Sequence, residues 1–98
     1  MEKWTPHCKL SLVRALVTAG NVRATMSALA GAAALGIDFN GMIAVLRALQ
    51  PGNFHKSMTT QADHRSWQDV YRVRWGDSGI YLKLSIDDCV LIVSFKEL

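Results

Sequence analysis

The chain has 98 residues, of which 50% are hydrophobic and 19% are charged, and we therefore expect one domain over residues 1–98 with a single core. Its longest stretch without a charge, residues 24–37, is rich in Ala and Gly and shorter than the roughly 20 apolar residues that span a bilayer. Since the start of the chain does not resemble a signal peptide, we expect a cytoplasmic protein without a membrane partner, and the net charge of +3 favours a polyanionic partner.

A first helix is predicted near the start of the chain. Thr5 and Pro6 are typical of a helix N-terminus, with Thr as the cap and Pro at the first helical position. Apolar residues then recur at helical spacing as far as Gly20, namely Leu10, Val13, Leu16 and Val17. Residues 22–24 are expected to form a short extended link.

Two further helices are predicted before residue 52. Thr25 is the expected cap of an alanine-rich helix that ends at Gly36, and Gly31 either weakens this helix or allows another element to pack closely. Asn40 opens a third helical segment, which Pro51 closes. One face of that segment is expected to be buried and carries Met42, Val45, Leu46 and Leu49.

The second half of the chain alternates with a period of two, which is typical of strands. Four strands are predicted, at residues 54–59, 66–75, 79–86 and 89–96. The second and third strands are joined by residues 76–79 and the third and fourth by residues 87–88. If these form hairpin loops of four and two residues, Arg74 lies opposite Tyr81, Ile86 opposite Cys89, and Tyr81 opposite Ser94. The fold class that follows is α+β, with N-terminal helices packed on one face of a C-terminal antiparallel sheet.

The two faces of this predicted sheet differ in chemistry. The face expected to cover the helices is apolar and carries Trp67, Tyr71, Val73, Trp75, Ile80, Leu82, Leu84, Ile86, Cys89, Leu91, Val93 and Phe95. The opposite face, here called the polar face, carries Lys56, Gln68, Arg72, Arg74, Tyr81, Lys83, Ser85, Ser94 and Lys96, with Val70, Val90 and Ile92 among them.

The polar face has two interpretations. Antiparallel sheets commonly turn polar residues to water, so the face can be a solvated surface with scattered charge. Within its strands, however, it has four or five cations and no acid, whereas Asp63, Asp77, Asp87 and Asp88 fall at turns or ends. Arginine and lysine hold phosphates and tyrosine stacks on bases, so we consider single-stranded RNA as the ligand.

Blocks along the whole chain resemble the motility quorum-sensing regulator toxins, the MqsR family. The matching blocks are residues 1–3, 5–7, 35–39, 56–60, 63–64, 67–72, 81–83 and 90–97. The resemblance implies a bacterial type II toxin with a RelE-like fold that cleaves messenger RNA without a metal or other cofactor. Members of the family favour GC-containing triplets, typically GCU, and halt translation and growth.

The resemblance also implies partners. Toxins of this family are held inactive by a cognate antitoxin, MqsA, which joins a zinc-binding, toxin-binding domain to a helix-turn-helix DNA-binding domain. The complex represses its own operon. The implied partners are therefore an mRNA substrate, an MqsA-like antitoxin, and operator DNA that is contacted only through the antitoxin.

The resemblance further implies an active site. A Lys, a Gln and a Tyr proposed for the family's site match Lys56, Gln68 and Tyr81, all on the polar face. The implied roles are proton transfer and charge stabilisation by Lys56 and Tyr81, with the choice of base and acid left open, and orientation of a base or phosphate by Gln68. The residues expected to contact RNA are His55, Met58, Arg72, Lys83 and Lys96.

The chain departs from the family pattern at two positions, which are expected to alter base preference or rate. A Tyr that usually precedes the site Lys is His55 here, and a His of the last hairpin is replaced by Asp88. Because His55 alternates with Lys56, a regular strand would turn its ring toward the helices as a packed residue. The alternative is a catalytic His55. In that case the cleavage activity would change as the pH passes roughly 6.5, the ordinary pKa of histidine, and His55→Tyr would abolish this pH dependence.

The remaining histidines and the cysteines lack the spacing of a metal site. His7 matches a family histidine of uncertain role, and we expect His7 and His64 in caps or loops. Cys8 and Cys89 are far apart and are expected to be buried thiols without a disulfide. We therefore predict no metal ligands.

Two alternatives to an endoribonuclease remain at this stage. The same cationic surface would bind RNA without cutting it, as a non-catalytic RNA-binding module. A protein whose exposed edge strand only receives an antitoxin is the other alternative. RNA turnover distinguishes the first alternative from the enzyme, and growth arrest on expression distinguishes the second.

Overall fold

The computed structural model describes residues 1–60 and 66–98, which form three helices and one six-stranded sheet. In chain order the elements are β1 (Glu2–Lys3), α1 (Leu10–Thr18), β2 (Val22–Ala24), α2 (Met26–Ala34), α3 (Phe39–Ala48), a 3-10 turn (Pro51–Asn53), β3 (Phe54–Thr59), β4 (Trp67–Trp75), β5 (Ser78–Ile86) and β6 (Val90–Glu97). The α+β prediction is confirmed. Asp63 and His64, which belong to the family-like blocks, lie outside the described residues.

The sheet is mixed and includes two strands from the N-terminal half of the chain. Its strand order is β1-β3-β4-β5-β6-β2, with β1 antiparallel to β3 and β2 parallel to β6. The predicted antiparallel arrangement is found in the four C-terminal strands, and the structure adds an antiparallel strand at one edge and a parallel strand at the other, both from the N-terminal half. Strands of two and three residues are too short for a period-two pattern to be recognised.

Helix α1 begins at Leu10, later than the start predicted at residues 5–6. The backbone before it is held by a buried carboxylate instead of a helical turn. The amides of His7 and Cys8 donate hydrogen bonds to Oδ1 and Oδ2 of Asp69, at 2.9 and 3.0 Å. The predicted start is wrong because this contact from the sheet replaces the first helical hydrogen bonds.

The other two helices follow their sequence signals closely. The Thr25 hydroxyl accepts a hydrogen bond from the amide of Ala28, as expected of the cap of α2. Asp38 caps α3 by accepting from the amide of Gly41, so this helix begins just before the predicted Asn40. The four residues expected on its buried face are fully buried, namely Met42, Val45, Leu46 and Leu49.

Gly31 lets α2 approach β6 very closely. A Cβ atom at this position would lie 1.9 Å from the carbonyl oxygen of Phe95, so the close-packing interpretation of Gly31 is correct. We predict that Gly31→Ala destabilises the protein by about 1–3 kcal/mol, because overpacking outweighs the gain in helix propensity of about 1 kcal/mol. Urea unfolding measures the difference. In the control Gly52→Ala the added methyl group meets no atom within 4 Å, and equal midpoints for both variants would contradict the packing role.

The hairpin between β4 and β5 is tighter than predicted. Trp75 pairs directly with Ser78, which leaves two residues in the loop where four were predicted. Gly76 has a φ of +61°, a backbone conformation that suits a tight hairpin turn. In consequence Arg72, and not Arg74, lies opposite Tyr81.

The hairpin between β5 and β6 is one residue longer than predicted. The observed pairs are Ile86 with Val90 and Tyr81 with Lys96, where Ile86 with Cys89 and Tyr81 with Ser94 were predicted. Lys83 pairs with Ser94, and the next residue, Leu84, pairs with Ile92. Val93 therefore has no partner of its own on β5 and is an additional residue in β6. Such a bulge shifts the alternation of the strand by one position.

This shift exchanges the faces of the first half of β6. Val90 and Ile92, which were predicted on the polar face, are fully buried in the core with the helices. Cys89, Leu91 and Val93 are half-buried and do not join the core. A one-residue change of register moves every side chain to the opposite face, and the bulge then restores the predicted pattern for the end of the strand.

Among the described residues, no single helix is long and apolar enough to cross a membrane. Only α2 and α3 taken together have the length and composition of a span, and they are bent by 88° relative to each other. Both helices contribute fully buried side chains to the core, for example Ala28 and Val45.

Candidate active site

The polar face brings the three residues matched to the family's site onto one surface. Two rows of cross-strand neighbours run over it, Lys56, Val70, Lys83 and Ser94 in one and Arg72, Tyr81 and Lys96 in the other. Beside the first row, Met58 of β3 pairs with Gln68 of β4. Lys56 and Tyr81 are two strands apart, about 10 Å across the sheet, and are offset by two residues, about 7 Å, along the strands. Their long side chains can therefore reach a group bound between them.

Val70 forms an apolar floor for this surface. It faces away from the helices and yet is fully buried. Its cross-strand neighbours are Lys56 on one side and Lys83 on the other, and both have long aliphatic stems. Charges above an apolar floor are less screened than charges in open water, and their attraction for an anion is correspondingly stronger.

Cations surround the ring of Tyr81. The Nζ atom of Lys96 lies 5.1 Å from the ring centroid and that of Lys83 lies 6.0 Å from it, both within range of a cation–π contact. Arg72 is the cross-strand neighbour of Tyr81 on β4. A phosphate group above this ring would meet positive charge from three adjacent strands.

An acid that sequence reasoning missed lies on the polar face. Strand β1 brings Glu2 beside Lys56, where Oε2 accepts a hydrogen bond from Nζ at 2.6 Å. This bond, and secondarily the positive charge of Lys56, lowers the pKa of Glu2 below its ordinary value. The Glu2 carboxylate therefore stays ionised at neutral pH, and its contact with Lys56 weakens as the pH falls through that lowered pKa. The one sequence signal for Glu2 is its place in the family-like block at residues 1–3.

His55 faces the polar side and not the helices. A bulge between Phe54 and Lys56 breaks the alternation of β3, so the predicted orientation of His55 is wrong. Its Nε2 lies 2.6 Å from a guanidinium nitrogen of Arg72 and, since arginine only donates, accepts that hydrogen bond. Desolvation first, then the charges of Arg72 and Lys56, lower the pKa of His55 and favour the neutral ring.

His7 belongs to a different cluster from the matched residues. Its ring stacks on Trp67 with centroids 5.7 Å apart, and Lys3 Nζ lies 4.1 Å from the centroid of Trp67 and 3.0 Å from His7 Nδ1. Because Lys3 alternates with Glu2 in β1, this cluster is on the opposite face of the sheet. Asp88, the other departure from the family pattern, is exposed in the loop between β5 and β6.

The described residues provide neither a metal site nor a disulfide. Within residues 1–60 and 66–98, no three His, Cys, Asp or Glu side chains are grouped so that they could hold a metal ion. Cys8 and Cys89 are both free thiols, half-buried where full burial was predicted. Burial, with a smaller contribution from Asp69, raises the pKa of Cys8.

Two comparisons with known proteins cover almost the whole chain. A protein family described as motility quorum-sensing regulator, toxin of MqsA, matches residues 5–97. The mRNA interferase toxin MqsR of Escherichia coli (strain K12) is 56% identical over 97 residues, which are 99% of each of the two chains. Both matches extend over the four long strands that form the polar face.

Proposed function

This chain belongs to the family of motility quorum-sensing regulator toxins, and on that premise we propose that it is an mRNA interferase, a toxin that cleaves messenger RNA and thereby inhibits translation. The observation that carries the proposal is the concentration of cations around one aromatic ring. Arg72, Lys83 and Lys96 surround Tyr81, and Lys56 lies across the apolar floor at Val70. This combination suits a phosphate backbone with unpaired bases.

The proposed reaction needs no group beyond the RNA and the protein. The ribose 2′-oxygen attacks the adjacent phosphorus and loses its proton to a base. The bond from phosphorus to the 5′-oxygen breaks, and that oxygen takes a proton from an acid. The products are a 2′,3′-cyclic phosphate and a 5′-hydroxyl end, and the charge that builds on the phosphoryl oxygens requires a cation.

The residues of the polar face divide between these tasks. We assign proton transfer and charge stabilisation to Lys56 and Tyr81, and orientation of a base or phosphate to Gln68. The RNA backbone is held by Arg72, Lys83 and Lys96, with His55 and Met58 as further contacts. A lysine ammonium and a tyrosine hydroxyl each have a proton to give, so the choice of the acid that protonates the 5′-oxygen is left open between Lys56 and Tyr81.

The finer features of the family extend this proposal. We propose that cleavage occurs at GC-containing triplets such as GCU, and that an MqsA-like antitoxin neutralises the toxin. That antitoxin would have a zinc-containing domain and a helix-turn-helix domain, and operator DNA would be contacted only through it. Inhibition of cleavage by a stoichiometric amount of such an antitoxin, produced from a neighbouring gene, would support this part of the proposal.

The test is cleavage of a defined RNA by the purified chain. A single-stranded RNA with one GCU is incubated without ribosomes or metal ions, beside an RNA in which that triplet is scrambled, and the ends are mapped. We expect cutting at GCU alone, with 2′,3′-cyclic phosphate ends. Binding without cleavage of either RNA would favour the non-catalytic RNA-binding alternative instead.

The ion pair between Glu2 and Lys56 predicts a measurable restraint on RNA binding. The two side chains are 43% and 23% exposed, and ion pairs that water reaches contribute little, so a phosphate can displace the carboxylate. We expect Glu2→Gln to lower KM for RNA by about two- to fivefold at low salt, with a smaller effect at high salt. The control Asp77→Asn removes the same charge from the turn between β4 and β5. Equal effects of both substitutions would assign the change to net charge alone.

A further inference from the structure

Trp4 is an exposed aromatic side chain at the edge of the polar face. The residue is 69% exposed, which is unusual for one with so much apolar surface to bury. The other two tryptophans, Trp67 and Trp75, are half-buried. Trp4 follows β1 directly and contributes little to the core, so its position calls for another explanation.

Three contacts hold the segment around Trp4 beside the active site. The pairing of β1 with β3 sets Glu2 opposite Met58, and the Glu2 carboxylate binds Lys56. Two residues further along, the Trp4 ring meets the His55 ring edge to face, with centroids 6.0 Å apart and an interplanar angle of 64°. The backbone on one side of Trp4 is therefore held by β1, and the indole rests against His55 while most of its surface stays exposed to solvent.

The neighbours of Trp4 are suited to the charged part of a nucleotide. His55 accepts a hydrogen bond from Arg72, whose guanidinium has further donors for a phosphate. The lowered pKa of His55 keeps that ring neutral, so it can accept this bond and hold the guanidinium in place. An aromatic ring beside an ordered guanidinium is the combination on which a nucleobase stacks while its phosphate is bound.

We propose that Trp4, His55 and Arg72 form a nucleobase-stacking subsite, in which the base of a nucleotide flanking the cleaved bond lies on the Trp4 ring and its phosphate binds Arg72. The inference rests on the proposed function, because it takes the ligand to be single-stranded RNA. Stacking uses the face of the base and not its hydrogen-bonding edge, so this subsite adds affinity without sequence preference. Trp4 touches no reacting atom, and it is a binding residue, not a catalytic one.

The test compares binding and cleavage in Trp4 variants. Affinity is measured with 2′-O-methyl RNA of the substrate sequence, which cannot be cleaved because its 2′-hydroxyls are blocked. We expect Trp4→Ala to weaken this binding about tenfold and to raise KM with kcat unchanged, and Trp4→Phe to restore most of the affinity. The loss should be equal for the GCU and the scrambled sequence. Binding should also quench tryptophan emission in the unaltered chain and quench it less in Trp4→Phe.

Met26→Ala is the matched control, since Met26 is 81% exposed and lies at the start of α2 in the helical layer. It is expected to leave binding and cleavage unchanged. If Trp4→Ala binds and cleaves like the unaltered chain, the subsite is wrong while the proposed function stands. If the unaltered chain binds but does not cut RNA, the proposed function is wrong, and the Trp4 variants still decide the subsite by affinity. A loss confined to one RNA sequence would contradict stacking.

Discussion

Replacing Lys56 with Ala is expected to lower the rate of RNA cleavage by about 10²-fold or more, with the fold retained. Lys56 lies on β3 next to the apolar floor at Val70, and its side chain is 23% exposed. Its loss removes the cation nearest to one side of the proposed phosphate position. Single-turnover cleavage of the GCU-containing RNA measures the effect, and a urea unfolding curve checks the fold.

Two further variants define what Lys56 contributes. Lys9→Ala removes the same charge from an exposed position before α1 and is expected to leave the rate unchanged. Because Lys56→Ala also leaves Glu2 without its partner, the double variant Glu2→Gln/Lys56→Ala removes the repulsion that this carboxylate would exert on phosphate. If the double variant regains the full rate, Lys56 only neutralises Glu2 and has no catalytic role. A rate that stays low supports the catalytic role.

Tyr81 can be tested in the same assay. Tyr81→Phe keeps the ring that Lys83 and Lys96 contact and removes only the hydroxyl. A loss of similar size to that of Lys56→Ala would support proton transfer by the hydroxyl. An unchanged rate would limit Tyr81 to stacking and to positioning the two lysines.

Asp69→Ala is expected to destabilise the protein by about 3 kcal/mol or more, the largest effect on stability among these predictions. Asp69 is 1% exposed, and its two carboxylate oxygens accept hydrogen bonds from the amides of His7 and Cys8. The substitution leaves both amides without these acceptors and releases the segment that connects β1 to α1. A domain of this size has roughly 5–15 kcal/mol of stability in total, so a large fraction would be lost.

Equilibrium unfolding in urea measures this loss, and hydrogen exchange at His7 and Cys8 locates it. Ser57→Ala is the matched control, because Ser57 is the buried neighbour of Asp69 on β3 and its hydroxyl donates a long hydrogen bond, 3.4 Å, to the carbonyl oxygen of Gln68. That control is expected to cost about 1 kcal/mol or less. A similar cost for both substitutions would contradict the role of Asp69 as the anchor of this segment.

Local patterns predicted the parts of the fold whose causes lie within a few residues. The strand at Phe54–Thr59 was predicted at its observed bounds, and the cap of α2 at Thr25 was also correct. Within β4, alternation put Gln68 and Arg72 on one face, because successive side chains of a strand point to opposite sides. The residues that β4 contributes to the polar face could therefore be recognised before any pairing was known.

Patterns did not predict features that depend on loop length and on bulges. The predicted loop lengths gave the wrong cross-strand partners for Tyr81. They also predicted that Val90 and Ile92 face solvent, although both are buried in the core. The assumption of regular alternation along β3 predicted that His55 faces the helices, and the bulge in β3 breaks that alternation. The wrong partner of Tyr81 on β4 follows from a loop two residues shorter than predicted, and the other errors follow from single added residues, whose places are decided by packing against neighbouring strands.

The sequence by itself determined the fold class, the four long strands and the positive charge of one sheet face, since these follow from composition and from the periods of strand and helix. Only the tertiary structure decided that Glu2, Trp4 and His55 join that face. Strand β1 has two residues, too few for a periodic signal, and it forms because the free edge of β3 supplies its hydrogen bonds. The surroundings of Lys56 thus depend on contacts between residues more than 50 positions apart, which no local pattern contains.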